Sequence, residues 1–209
     1  GLNPSAVICE IMNDDGTMAR LPELIAFAQF HNLKIGAIDE LIAYRRVNER
    51  LVEKVAETPF EVRGGNGFKL VVFRNKLDGV EHAALVKGEI AADKATLVRV
   101  HRIDFAADVM GGYGGRAGLI DRAVAEIDAE GAGVVVLLRD LVPDALSRRL
   151  SGEPLEMEAD DIRRVIGVGS QILRELGVGR MTVLSGAPQK LVGLEGYGLS
   201  VDGWRGFTS

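Results

Sequence analysis

The chain has one cysteine, Cys9, among its 209 residues. A single thiol excludes an intramolecular disulfide and any zinc site built from two or more cysteines of one chain. Long apolar runs are also lacking. The longest, around 133–138, is far short of the roughly 20 residues that a bilayer requires. The N-terminus has no basic-then-apolar pattern of a signal peptide, so the sequence reads as cytoplasmic. Positive charge is not in excess. The formal net charge of -5 gives no general field to attract nucleic acid or an anionic membrane, although a local basic pocket remains compatible with a phosphorylated small molecule. There is no internal repeat and no low-complexity segment. What is present is 47% hydrophobic residues, enough for a full core, in a length that suggests one domain plus a piece at about 150 residues per domain.

Residues 1–46 carry two short helical patterns, 22–30 and 37–46, joined by a turn-and-strand segment. A segment below about 40 to 50 residues without disulfide or metal rarely folds alone, so this one is expected to pack on other protein. The polar stretch 45–58 reads as a linker helix, which divides the chain into 1–46, a linker at 47–58 and a main domain at 59–209. From residue 59 the pattern turns to strands. KLVVFRNK at 69–76 and GVEHAALV at 79–86 flank Asp78-Gly79, a hairpin signal because glycine tolerates positive φ. ATLVRVH at 95–101 is a third strand. Helices are then expected at 116–130 and 159–176, with strands at 133–138, 181–184 and near 198–201. This is an α/β layered fold with an antiparallel strand start followed by alternating helices and strands.

Two stretches carry a family resemblance. Residues 1–45, GLNPSAVICEIMNDDGTMARLPELIAFAQFHNLKIGAIDELIAYR, resemble the end of a 3,4-dihydroxy-2-butanone 4-phosphate synthase domain. LVRVH at 97–101, GVVVLLR at 133–139, IGVGSQILRELGV at 166–178 and PQKLVGLEGYGLSV at 188–201 resemble GTP cyclohydrolase II. Together they resemble the C-terminal part of a bifunctional riboflavin-biosynthesis protein. The resemblance implies a cyclohydrolase II-like fold, a homodimer, a synthase half preceding residue 1, magnesium for the synthase and zinc for the cyclohydrolase.

In the synthase family the glutamate of the Cys-Glu pair contacts substrate, and it corresponds to Glu10. With Asp14 and Asp15 it forms an acidic group of the kind that binds a divalent ion or transfers a proton. The same residues, Asn13-Asp14-Asp15-Gly16, are ordinary turn chemistry. The family's metal-binding histidine motif and acidic loop are not in this sequence, so no synthase activity is expected of these 209 residues.

The cyclohydrolase opens the guanine imidazole ring and releases formate and pyrophosphate, using a zinc ion on three cysteine thiolates to activate water. The resemblance places those cysteines at Asp104, Gly115 and Ala117. None of the three can supply a thiolate, and no metal is expected here. His101, Asp104 and Asp108 are a possible substitute set for a divalent ion, read more simply as hydrogen-bonded chemistry at a strand end, where Arg102 adds unwelcome positive charge.

The family's GTP-contacting Glu-Gly-Arg segment aligns with Leu141-Val142-Pro143. Its proton-accepting aspartate and nucleophilic arginine fall on Ile162 and Arg164, or on Asp161 and Arg163 after a one-residue slip. Its nucleotide-holding threonine and lysine correspond to Ser185 and Lys190. Arg99, Ser185 and Lys190 are therefore the nucleotide- or phosphate-binding candidates, and Arg164 and Glu10 the catalytic ones. The bland alternatives are solvated helix charges for Arg164 and Lys190, and a strand-to-helix cap for Ser185. The run 111–116, Gly-Gly-Tyr-Gly-Gly-Arg, fits neither phosphate-loop pattern and reads as a loop. His31 and His82 read as structural. The expectation is a cyclohydrolase II-like domain that has lost turnover and kept a structural or regulatory role. The alternative is a residual enzyme or binding domain for GTP or a related phosphorylated metabolite.

Overall fold

The structure, a computed structural model, describes residues 3, 5–112, 117–139, 144–151, 159–186 and 194–208. The chain divides into two compact units, Gly1–Arg45 and Arg46–Ser209.

In the first unit, helix α1 spans Leu21–Phe30. Pro22 sits in its first turn, where a missing N–H costs nothing, and the Glu23 side chain accepts a hydrogen bond from the Arg20 N–H at 2.9 Å. Helix α2 spans Ile38–Asn48. Ahead of α1 the chain makes a short bridge between Met12 and Met18.

The second unit is a seven-stranded sheet in the order β1-β2-β3-β5-β4-β6-β7. The strands are β1 (Val52–Val62), β2 (Gly65–Asn75), β3 (Glu81–Lys87), β4 (Ala95–Arg102), β5 (Gly133–Leu138), β6 (Arg180–Leu184) and β7 (Ser200–Arg205). β1, β2, β3 and β5 pair antiparallel, whereas β5, β4, β6 and β7 pair parallel. The antiparallel start and the later alternation are as expected. Asp78-Gly79 lies in the β2–β3 turn, with Gly79 at φ 72°.

Residues 52–58 differ from expectation. They belong to strand β1, which pairs with β2 from Val52↔Asn75 to Val62↔Gly65 with register shifts at Lys54/Ala56 and Phe60/Val62, rather than to a linker helix. The physical reason is that β1 is an edge strand exposed along most of its length, so polar residues stand where a half-buried strand would alternate. Charge pairing replaces apolar packing there: Glu57 accepts from Lys54 of the same strand at 2.9 Å and across the strands from Lys69 at 3.2 Å.

Helix α3 (Leu119–Glu130) covers one face of the sheet and α5 (Ala159–Glu175) the other; a short α4 spans Ala145–Leu150. The core follows strand alternation. Val134, Val136 and Leu138 of β5 join Val98, Ile172 and Leu173 on the α5 face, while Val135 joins Leu97, Ala123, Val124 and Ile127 on the α3 face. A strand buried on both faces reads as an unbroken apolar run, which is the GVVVLL pattern. Gly133 allows α3 to approach: a Cβ there would lie 2.6 Å from the Leu97 carbonyl oxygen and 2.9 Å from the Ile127 side chain.

Glu126 of α3 ties the C-terminal segment to the fold. It is buried and accepts from the Thr208 N–H at 2.7 Å, from the Thr208 hydroxyl and from Arg205 Nη2 at 2.8 Å. The Thr208 hydroxyl, then its N–H, and the Arg205 charge hold the carboxyl below its ordinary value. Because the folded pKa is depressed, the stabilisation is full above the unfolded carboxyl value of about 4.3 and is lost as pH falls through the folded value. Glu126→Gln is expected to lower stability at pH 7 by about 1–3 kcal/mol. In thermal melts from pH 7 to pH 3, the gap between wild type and variant should close in acid. A gap constant across that range would contradict this account.

Candidate functional site

The ends of the parallel strands β4 and β6 hold Arg99 and, just beyond, Ser185. β4 lies between β5 and β6, so its successive side chains are delivered to opposite faces of the sheet. Leu97 belongs to the α3-side core and Val98 and Val100 to the α5 side. Arg99 and His101 follow Leu97. The Arg99 Nη1 donates to the Leu184 carbonyl at 3.1 Å, and its guanidinium lies 5.6 Å from the Phe207 ring centroid.

A buried hydrogen-bonded chain continues from Arg99. Its Nη2 lies 3.4 Å from His101 Nδ1, and His101 Nε2 lies 2.8 Å from Asp108 Oδ2. A guanidinium has no acceptor, so Nδ1 takes the accepting role and Nε2 carries the proton given to Asp108. The His101 side chain is fully buried and that of Asp108 is 4% exposed. Asp108 Oδ2 also accepts from the Asp104 N–H at 2.7 Å. Asp104 Oδ1 in turn accepts from the N–H groups of Ala106 and Ala107 at 3.1 and 3.2 Å, capping a single π-helical turn at Phe105–Val109.

Among the described residues this arrangement does not fit a zinc ion held by thiolates. Among the corresponding cysteine positions, Asp104 uses a carboxylate oxygen as a cap, Ala117 has only a methyl group, and Gly115 lies outside the described residues. The imidazole nitrogen facing Asp108 holds a proton instead of offering a lone pair. Among the described residues, no group of three or more His, Cys, Asp or Glu side chains is placed to hold a metal ion.

On the opposite face, a cavity of about 420 Å³ lies between α5 and strands β4, β6 and β7. Val98, Val100, Arg102, Met181, Val183 and Ser185 line it from β4, β6 and the residue after β6, and Trp204 lines it from β7. α5 contributes Ile162, Val165, Ile166, Gly169, Ser170 and Leu173. Arg99 and Ser185 both border this cavity, although the Arg99 guanidinium is engaged by Leu184 and Phe207.

Arg164 is not brought together with them. It lies on another side of α5, in a small pocket of about 110 Å³ with Leu51, Asn75, Leu77, Gly167, Val168 and Gln171, and forms an ion pair with Asp78. Lys190, the segment 141–143 and residues 113–116 lie outside the described residues, as do the side chains of Asp161 and Arg163.

Glu10 is exposed in the first unit. Its neighbour Asp15 is used as a turn residue, accepting from the Thr17 hydroxyl at 2.6 Å and the Thr17 N–H at 3.0 Å. Those bonds, the hydroxyl's first, hold the Asp15 carboxyl below its usual value. His31 packs against Phe27 and Phe30, with ring centroids 4.4 and 4.9 Å away. His82 is buried in β3 and its Nδ1 accepts from the Arg139 N–H at 3.2 Å; burial pushes its pKa down.

Sequence reasoning missed Arg102 and Trp204 as cavity walls and Gln171 as an anchor. The period-two alternation of a strand was enough to put Arg99 and Arg102 on opposite faces. Nothing local marks Trp204 or Gln171, whose partners are distant in sequence.

The family model of GTP cyclohydrolase II matches residues 53–205. The chain belongs to the GTP cyclohydrolase II family. A second model, of 3,4-dihydroxy-2-butanone 4-phosphate synthase, matches residues 1–44. Over 97% of its length the chain is 45% identical to the monofunctional riboflavin biosynthesis protein RIBA 2, chloroplastic, of Arabidopsis thaliana, covering 44% of that protein. It is 41% identical over 96% of its length to a 3,4-dihydroxy-2-butanone 4-phosphate synthase of Pseudomonas aeruginosa, covering 56% of it. The chain thus spans about half the length of these curated relatives. Among solved structures it matches RibBX, a two-domain 3,4-dihydroxy-2-butanone 4-phosphate synthase from A. baumannii, with a TM-score of 0.62 and 34% identity over 94% of this chain and 53% of that one. The cyclohydrolase II-family unit of this chain therefore sits in the company of riboflavin-biosynthesis proteins. No helix among its described residues is long and apolar enough to cross a membrane.

Proposed function

We propose that the cyclohydrolase II-family unit of this chain has no GTP ring-opening activity and serves a structural or regulatory role for a synthase domain to which it is fused. The observation that carries this reading is the His101–Asp108–Asp104 cluster, in which imidazole, carboxylate and backbone groups hydrogen-bond one another in the region where the family's thiolates are expected. Without the ion, the pKa of the attacking water returns from about 7 to the far higher value of bulk water, and hydroxide is not available at neutral pH. The name of the Pseudomonas relative, which aligns with almost the whole of this chain and is called only a synthase, supports the same reading.

The first unit supports the fused synthase as partner. Val7, Ile8, Phe30 and Ile38 are 98%, 92%, 84% and 76% exposed, and Ala28 is the buried hydrophobic residue described there. Such side chains fit against the remainder of a synthase domain, which would also supply the magnesium-binding motif and the rest of the site whose substrate the residue at Glu10 contacts in that family. Cytoplasmic location and a homodimer complete the proposal.

The test is release of formate and pyrophosphate from GTP with zinc supplied, beside a zinc-bearing member of the family. Rates lower by about a thousandfold or more are expected. Turnover within tenfold of the zinc enzyme would overturn the proposal.

A further inference from the structure

A cleft of about 620 Å³ lies at the N-terminal ends of the parallel strands, the opposite end of the sheet from Arg99 and His101. The C-terminus of α5, the loop ahead of β4 and a 3-10 turn at Glu195–Tyr197 ahead of β7 enclose it. Its size is in the range of small-molecule sites. Four glycines stand in its walls: Gly177, Gly179, Gly196 and Gly198. Gly177 ends α5 at φ 87° and Gly198 ends the 3-10 turn at φ 71°, both in the left-handed region that favours glycine. At Gly179 the reason is close approach, since a Cβ would lie 2.5 Å from the Ala92 carbonyl oxygen. Glycine walls present main-chain N–H and C=O groups, which suit the amide of a ligand.

Two opposite charges border the same cleft. Arg174, in the last turn of α5, and Glu195, at the start of the 3-10 turn, both line it and are exposed. Among the described residues neither has an ion-pair partner, and they do not pair with each other. A cation is what a helix C-terminus favours, which accounts for Arg174 alone. It does not account for a carboxylate held on a second element without closing onto the guanidinium. Opposite charges kept apart on the walls of one cleft match a ligand that carries both, because a guanidinium forks onto a carboxylate and a carboxylate accepts from an ammonium.

We propose that this cleft binds a short zwitterionic peptide, with the terminal carboxylate at Arg174, the ammonium at Glu195 and the amide against the glycine backbone. A ligand of one charge leaves the other wall unanswered. Asn48, at the end of α2, also borders the cleft, so occupancy is felt where the chain enters the sheet. The site stands apart from GTP turnover, whose candidate residues Arg99 and Ser185 lie towards the other end of the strands.

The probe is glycylglycine, added at millimolar concentration to the isotopically labelled full chain and followed by nuclear magnetic resonance at the amides of the four glycines. Saturable shifts at those amides are expected. N-Acetylglycylglycine, which lacks the ammonium, and glycylglycinamide, which lacks the carboxylate, should each bind at least about tenfold more weakly, the worth of one charge-assisted contact. Arg174→Ala should weaken glycylglycine at least about tenfold and change glycylglycinamide by less than about twofold. Glu195→Ala should weaken glycylglycine as much and spare N-acetylglycylglycine. Both side chains are exposed, so each variant should keep the wild-type Tm. Absence of saturable shifts, equal affinity for the three probes, or unchanged affinity for glycylglycine in either variant would each overturn the assignment. GTP turnover would leave this site standing, and failure of the peptide to bind would leave the turnover result as it is.

Discussion

Asp108→Ala is expected to destabilise the second unit by about 3–5 kcal/mol, the range for removing one partner of a buried ion pair or charged hydrogen bond. The carboxylate accepts from the Asp104 N–H and from His101 Nε2 through one oxygen, and both donors are buried with it. Alanine leaves two buried donors without that acceptor and removes the negative charge two bonds along from Arg99. At about 2–4 °C per kcal/mol for a unit of this size, the fall in Tm is on the order of 10 °C. Asp108→Asn keeps one oxygen acceptor and is expected to fall between alanine and wild type. Zinc in the buffer should not raise the Tm of either variant, since the cluster has no thiolate to offer. A loss below about 1 kcal/mol for the alanine variant would show that the cluster does not hold the strand end as described.

His101 and Asp108 illustrate what the sequence made legible and what it did not. Their proximity in sequence, seven positions apart, suggested either a divalent ion or ordinary hydrogen bonding at a strand end. Only the turn at Phe105–Val109 brings the carboxylate back onto the imidazole, and a single π-helical turn has no periodic signal to announce it. Strands β2 to β6 were legible because burial on one or both faces writes itself into alternation or an apolar run. β1 was not, because the side chains of an exposed edge strand carry cross-strand charge instead. The cavity is a similar case. Its wall residues Met181, Trp204 and Ile166 come from three elements, and no spacing within one element foretells their meeting.

Gln171→Leu is expected to loosen the point where the chain enters the sheet, at a cost of about 2 kcal/mol. Gln171 is buried on α5; its Oε1 accepts from the Leu51 N–H at 2.8 Å and its Nε2 donates to the Glu49 carbonyl at 3.1 Å. One amide thus satisfies both backbone groups of a segment that has left α2 and not yet begun β1, where neither a helix nor a ladder can do so. Leucine matches the volume and offers neither bond. Water can reach the partly buried partners, which keeps the cost below that of two fully buried losses. Gln171→Glu retains the acceptor for Leu51 but faces the Glu49 carbonyl with an oxygen, so it should also destabilise and should not rescue. The local readout is trypsin cleavage after Arg50, whose side chain is 81% exposed beside the clamp. Cleavage there should accelerate in both variants by more than it does at other arginines, because opening this segment requires less free energy than unfolding the sheet. Equal acceleration at all sites would place the effect in global stability, and an unchanged Tm with unchanged cleavage would show that the amide is not the anchor.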